Sequence, residues 1–187
     1  IENVEVYDNT LDNINEKNPN FCELTALYWI WKNDNSDYVG LEHYRRFFSK
    51  KGLFSTRPLR KAELLKKLKK SDLIIPESRV GELSVEDYYK KEHYVEDLYV
   101  CKDIISEKYP EYLPAFDQVM KSKRAFMTNM FVSKKSIIDA YSDWLFDILF
   151  EAERRIDISD RDAYQKRIFG FLSERLFNVY IIKNGLK

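Results

Sequence analysis

Polar residues crowd the start of the chain. Glu2 to Asn20 is rich in Asn and Asp and reads as loop, apart from a short strand at Val4–Tyr7. Asn18-Pro19 then suits a helix entry, because proline at the first helical position loses no needed N–H. A helix follows from Pro19 to Lys32, with Leu24, Leu27, Tyr28 and Trp31 on one face. The Asn33–Asp37 cluster ends it. A strand, Tyr38-Val39-Gly40-Leu41, runs straight into Glu42-His43-Tyr44-Arg45-Arg46. Beyond a loop with Gly52 and Pro58, Leu59 to Lys70 reads as a helix with Leu64, Leu65 and Leu68 inward and lysines outward.

Asp72-Leu73-Ile74-Ile75-Pro76 has the pattern of a brief buried strand closed by proline. Ser84-x-x-Asp87 resembles a helix start. The spacing then predicts helices over Val95–Lys108, stopped by Tyr109-Pro110, and over Leu113–Lys121, with a strand at Ala125–Val132. Ser136 to Arg155 is strongly amphipathic, with Ile137, Tyr141, Trp144, Ile148 and Ala152 recurring at helical spacing. Asp157 to Asp162 breaks that pattern. A last helix, Ala163 to Asn184, turns Ile168, Phe171, Leu172, Leu176 and Val179 inward. Short strands alternating with helices predict an α/β domain, richer in helix than in sheet. The sheet is expected to be small and mostly parallel, with Tyr38–Leu41 and Leu73–Ile75 as neighbouring central strands.

Composition narrows the function classes. The 187 residues fit one domain, spanning 1–187, that buries roughly 70% of its unfolded surface without disulfides or structural metal. Lys plus Arg equals Asp plus Glu at 31 each, so the global charge excess of a nucleic-acid binder is missing. Only five glycines are present, scattered so that no dinucleotide fingerprint, phosphate loop or nucleophile elbow can be written. Two cysteines and two histidines are too few for a zinc ribbon, and a reducing cytoplasmic compartment is the expectation. No apolar run approaches the 18 or so residues of a membrane span. The chain begins at Ile1 rather than Met, and a native N-terminal segment is expected to precede it.

Candidate chemistry concentrates at the end of the Tyr38–Leu41 strand. Ligands of open α/β sheets bind at the carboxyl ends of strands, and Arg45 and Arg46 offer planar forks suited to diphosphate oxygens. A solvated strand end with arginines paired to ordinary carboxylates accounts for the same residues. In the opening loop, Asp8-Asn9, Asp12-Asn13 and Lys17-Asn18 suit local turns or the hydroxyls of a sugar or ribose. His93 and Asp97, four apart, fit a base and its orienter, a pair of metal ligands, or a surface hydrogen bond on one helix. Asp160-Arg161-Asp162 matches the D-x-D element of sugar transferases only superficially, because it follows a helix; it reads as a capping loop. The lysines of 61–70 read as a solvated helix face, with loose attraction to anionic lipid as the second reading.

Several segments together carry a family resemblance. Asp12-Asn13-Ile14, Lys17-Asn18, Cys22 to Trp29 and Trp31-Lys32-Asn33 look like an opening signature, and Tyr38 to Phe48 like its centre. With His93, Asp97, Tyr109-Pro110-Glu111-Tyr112, Asn129-Met130-Phe131, Trp144-Leu145-Phe146 and Gly170 to Leu176, the whole chain resembles the bacterial domain of unknown function 4422. That family belongs with capsule, exopolysaccharide and O-antigen gene products and is regarded as glycosyltransferase-like. The resemblance implies a GT-A-like nucleotide-sugar-binding domain, preceded in the family by a segment with the first strand and part of the donor wall. It implies transfer of a hexosyl group from a nucleoside-diphosphate sugar, a UDP-sugar foremost, to a growing glycan or lipid-linked glycan.

In that reading Glu42, His43 and Asp97 are catalytic, with Glu42 or Asp97 deprotonating the acceptor if the reaction inverts. Tyr44, Arg45, Arg46, Asn13, Lys17 and Asn18 hold donor and diphosphate, and His93 and Asn129 hold sugar or acceptor. Where GT-A enzymes often carry D-x-D, this chain reads Glu42-His43-Tyr44. A Mn or Mg cofactor is thus open, with no ligands assigned. Glu174 and Arg175 read as an ion pair bracing the last helix. A cytoplasmic protein, peripheral at the inner membrane face, with no nucleic-acid partner is expected. The alternative is a non-catalytic binding or scaffold module of a surface-glycan assembly.

Overall fold

A computed structural model of the protein describes residues 7–43, 45–51 and 56–187. The strand expected at Val4–Tyr7 lies outside them, except for Tyr7, which is in no strand. The first helix is two: α1 (Asn18–Phe21) and α2 (Leu24–Asn33). Cys22 separates them with a left-handed φ of 53°, an uncommon conformation for a residue with a Cβ. The Asn18 amide donates to the Cys22 carbonyl at 3.0 Å, and the Thr25 N–H donates to the same oxygen at 3.2 Å.

Next come β1 (Tyr38–Leu41), β2 (Ser49–Lys51), β3 (Thr56–Pro58), α3 (Lys61–Leu68), β4 (Leu73–Ile74) and β5 (Arg79–Val80). The remainder is α4 (Val85–Glu92), α5 (Glu96–Lys108), α6 (Leu113–Lys121), β6 (Arg124–Ala125), β7 (Phe131–Lys134), α7 (Lys135–Arg155) and α8 (Ile168–Asn184). Local chemistry sets many of these limits. The Ser84 hydroxyl accepts the Asp87 N–H and caps α4. Tyr109-Pro110 stops α5. Gly185, at a φ of 60°, closes α8, where its N–H and that of Leu186 return to the last turn.

The main sheet corrects the expected topology. Its order is β1–β7–β4 and both pairings are antiparallel, so a mostly parallel sheet is not what forms. Phe131–Lys134 lies between the two strands expected to be neighbours: Val39 and Leu73 both face Ser133 across the ladders. The central place goes to the strand whose inward residues, Phe131 and Ser133, are buried more completely than Val39 and Leu41 of β1. Ser133 is satisfied there by donating its hydroxyl to the Asp72 carbonyl at 2.7 Å. Close approach on the other side requires Gly40, where a Cβ would stand 3.1 Å from a Val132 methyl and 3.2 Å from the Phe131 carbonyl. The strand expected at Ala125–Val132 is divided between β6, which pairs with β5, and β7.

Helices make up the core. The strongest helix packing joins α5 to α7, α6 to α8 and α1 to α8. Aromatic rings fill the seams: Tyr112 stacks on Trp144 at 4.8 Å and Tyr141 meets Phe177 at 4.6 Å. Helix α8 is buried nearly all round, so polar side chains on it must find partners inside the protein. Asn178 does so by pinning the segment between β6 and β7. Its oxygen accepts the Phe126 N–H at 3.3 Å and its amide donates to the Phe126 carbonyl at 2.8 Å, as a strand partner would. Replacing Asn178 with Ala leaves both Phe126 groups without that partner. A loss of about 2–4 kcal/mol in unfolding free energy is expected by urea denaturation; an unchanged midpoint would show the clasp to be dispensable.

Candidate functional site

Beyond β1 the chain turns sharply. The Arg46 N–H donates to the His43 carbonyl at 2.9 Å, and the Glu42 carboxylate accepts the Phe48 N–H at 2.6 Å. That turn is one wall of a cleft of about 350 Å³, to which Glu42, His43 and Arg46 contribute. Asn129 and Met130, from the segment that Asn178 pins, also line it. Glu174 and Arg175 of α8 line it as well, with Glu23 from the start of α2.

An aromatic group closes another side. The ring of His93 stacks on Phe171 at 4.1 Å, and Tyr164, half exposed, sits 5.2 Å from Phe171. His93 Nδ1 lies 3.1 Å from the Gln165 side-chain oxygen, while the Gln165 amide donates to the Glu92 carbonyl. Since that oxygen can only accept, Nδ1 carries the proton. Burial pushes the His93 pKa down, so the neutral ring is favoured. The group offers flat apolar faces to a sugar ring or nucleobase.

The electrostatics turn on Glu174. Burial pushes its pKa up to about 7, and nearby Glu23 adds to the rise. Arg175, 2.7 Å away, and Arg46 oppose it. Arg175 is itself buried; one of its terminal nitrogens donates to Glu174 and to the Phe171 carbonyl, and the guanidinium lies over the Tyr89 ring. Its Nε is buried and makes no hydrogen bond. Arg167 is a third cation on this wall, and its Nε donates to the Cys22 sulfur at 3.2 Å. A carboxyl that changes charge near neutrality stands among guanidinium groups in one concavity. That combination suits proton transfer beside an anion.

The structure brings some of the expected residues together and separates others. Glu42, His43, Arg46, His93 and Asn129 line the cleft. Asn129 is buried and donates to Glu23 at 2.9 Å while accepting the Ser173 hydroxyl, so it shapes the floor. Asn18 lines an adjoining hollow that shares Glu23, Glu42, His43 and Arg167 with the cleft. Arg45 is exposed and outside the cleft lining, although its neighbour is within it. Tyr44 lies outside the described residues.

Three expected residues serve the fold instead. Asn13 holds its own turn, donating to the Leu11 carbonyl and accepting the Asn15 N–H. Lys17 pairs with Glu153 at 2.7 Å. Asp97 is buried in a bidentate pair with Arg161 at 2.7 and 2.8 Å and does not reach the cleft. It shares no helix face with His93, because α4 ends at Glu92 and α5 begins at Glu96. Reading the last helix as merely braced by Glu174 and Arg175 missed their place on the cleft. Two adjacent charges within an apolar helical run were the available signal. Among the described residues no three His, Cys, Asp or Glu side chains converge as metal ligands.

Comparison with known proteins bears on the same chain. A family model described as Domain of unknown function (DUF4422) matches residues 2–185. No curated protein matches the chain. The apo structure of WbbM, a bifunctional glycosyltransferase, superposes with a TM-score of 0.86 at 35% identity. The match covers 95% of this chain and 36% of WbbM, so the chain spans about a third of that protein's length. If Asp97 is structural, Asp97→Asn should destabilise the protein by about 3 kcal/mol, since it strips a buried guanidinium of its charge partner. Thermal melting checks it, and an unchanged melting temperature would show that the pair with Arg161 does not brace the fold.

Proposed function

Since the chain belongs to the DUF4422 family, as the match over residues 2–185 shows, we propose that it is a glycosyltransferase domain. It takes a nucleoside-diphosphate sugar, with UDP-hexoses first in line, and transfers the hexosyl group to a hydroxyl of a surface glycan. The observation that carries this reading is the cleft, where Arg46 and Arg175 act on a carboxyl of near-neutral pKa and Arg167 and an aromatic wall share the lining. The likeness to WbbM supports the same class of chemistry.

In this mechanism the bond from the anomeric carbon to the diphosphate oxygen breaks, and its electron pair leaves on the diphosphate. Negative charge grows there as the bond lengthens, so a fixed cation stabilises the transition state more than the bound donor. Arg46 supplies a planar fork from the turn after β1. The acceptor oxygen bonds to the anomeric carbon and gives its proton to Glu174, which is half ionised near pH 7. Glu42, tied to the Phe48 N–H, is left to position hydroxyls. Tyr164 and His93 present ring faces to the sugar or base. No step is routed through a metal ion.

Arg46→Lys keeps the charge and loses the fork, and a fall in turnover of about 10²-fold is expected, since one such donor contributes on the order of 3 kcal/mol. Arg45→Lys should stay within a few-fold of the parent. Both belong in a donor-hydrolysis and transfer assay across a panel of nucleotide sugars, with circular dichroism as the check on folding. Near-normal turnover in Arg46→Lys removes it from the reaction. A chain that binds no nucleoside diphosphate is the scaffold module instead.

A proton acceptor with a pKa of about 7 sets the pH profile as well. Only the ionised form accepts, so turnover should rise with pH through about 7 and level off above it. Glu174→Gln should abolish that limb and lower turnover by about 10²-fold or more. An unchanged limb in this variant assigns the proton to another group.

A further inference from the structure

Charge is divided unevenly along this chain. Between Arg45 and Lys70 the sequence places eleven Lys and Arg residues and a single acid, Glu63, although the chain as a whole has a net charge of +0. The rest of the protein therefore carries an equal excess of negative charge. The fold gathers the basic segment into one unit. The β2–β3 hairpin connects to α3, and Leu59 returns its N–H to the Phe48 carbonyl at 2.8 Å.

The one acid is consumed inside this unit. Glu63 accepts both terminal nitrogens of Arg57 at 2.7 and 2.8 Å, and the Arg60 N–H at 3.0 Å. Those bonds pull its pKa down to about 2, and Lys50 contributes to the same shift, so hairpin and helix stand side by side. Helix α3 buries Leu68 and half-buries Leu64 and Leu65, while Lys61, Lys66, Lys67, Lys69 and Lys70 stay exposed. Phe47, about half exposed, lies at the hairpin's base.

We propose that the hairpin and α3 form an electrostatic docking face for an anionic lipid surface. Two observations choose a membrane over a nucleic acid. A planar partner can engage the basic unit alone, whereas a polyanion able to wrap would meet the acidic excess of the rest of the chain. The face also adjoins the groove: Arg46 to Ser49 line a hollow of about 730 Å³ that shares Met127, Thr128 and Met130 with the cleft. A chain docked here holds the groove's mouth at the headgroups, where a lipid-linked acceptor presents its sugars. Docking itself does not depend on the transferase reading. Among the described residues no helix is long and apolar enough to cross a membrane, and each basic side chain near an anionic surface strengthens binding by about five-fold.

The test is co-sedimentation with phosphatidylcholine vesicles, with and without about a third phosphatidylglycerol, at low and at moderate salt. The parent should bind the anionic vesicles and not the neutral ones, and salt should weaken binding. The variant Lys66→Gln, Lys67→Gln, Lys69→Gln, Lys70→Gln should bind at least about 20-fold more weakly. A control with the same charge loss, Lys90→Gln, Lys121→Gln, Lys134→Gln, Lys183→Gln, should bind nearly as the parent does. Thermal melting checks that both variants fold. Equal loss in the two variants, or equal binding to neutral vesicles, overturns the proposal. So does indifference to anionic vesicles, and capture of a duplex oligonucleotide in that case would identify the other polyanion. UDP binding measured on the same samples keeps the two readings apart: the quadruple variant should retain it, and its absence in the parent counts against the cleft alone.

Discussion

A helix buried on nearly every side cannot leave its polar groups to water, and α8 is such a helix. Most of what surrounds the cleft follows from that constraint. Asn178 is satisfied by the Glu174 carbonyl and by the Phe126 backbone, and so fixes the segment between β6 and β7. Ser173 and Gly170 are satisfied through Asn129, which reaches on to Glu23 and thereby ties α2 to α8. Arg175 takes the Phe171 carbonyl and Glu174 as partners. The cleft is thus the place where the interior polar network of the protein comes to the surface. Its side chains are held by the same bonds that settle α8 in the core.

This origin accounts for the raised pKa of Glu174. Its carboxyl has lost much of its water but has only part of the compensation that a fully paired ion would enjoy, since Glu23 repels it while Arg175 and Arg46 attract it. Asp97 is held differently. It is withdrawn further from solvent than Glu174, and two parallel bonds from Arg161 hold it. The two carboxylates therefore differ both in depth and in the geometry of the nearest guanidinium, a two-bond pair for Asp97 and a single bond for Glu174.

What the sequence disclosed was chiefly local. Ser84 marked the start of α4, Tyr109-Pro110 the end of α5, and Leu113–Lys121 came out with its observed limits, because capping and proline act on neighbours in the chain. The turn after β1 was legible for the same reason: a strand running into five functional side chains is a contiguous pattern. Strand order was not legible. Strands of two to four residues carry too little alternation to specify partner or direction, and the central place of β7 rests on burial set by α7 and α8. The break at Cys22 was hidden too, since neither Gly nor Pro stands there. Asn18 and Thr25 enforce it through the Cys22 carbonyl. His93 and Asp97 misled because helical spacing has meaning only within one helix, and a break falls between them.

The ladder between Val39 and Ser133 joins positions more than ninety residues apart in the chain. Closing so long a loop is entropically uphill until the contacts that reward it exist. Helices α5 to α8, with their near neighbours in sequence, have no such delay. The order of assembly is then written into the topology: a helical body condenses first, and β1 joins it only once β7 has emerged and been seated. The turn that carries Glu42, His43 and Arg46 hangs from β1, so it is among the last parts to acquire its place. During synthesis the chain remains without its cleft until α8 has brought Glu174 and Arg175, so a half-made protein has no complete site to fill.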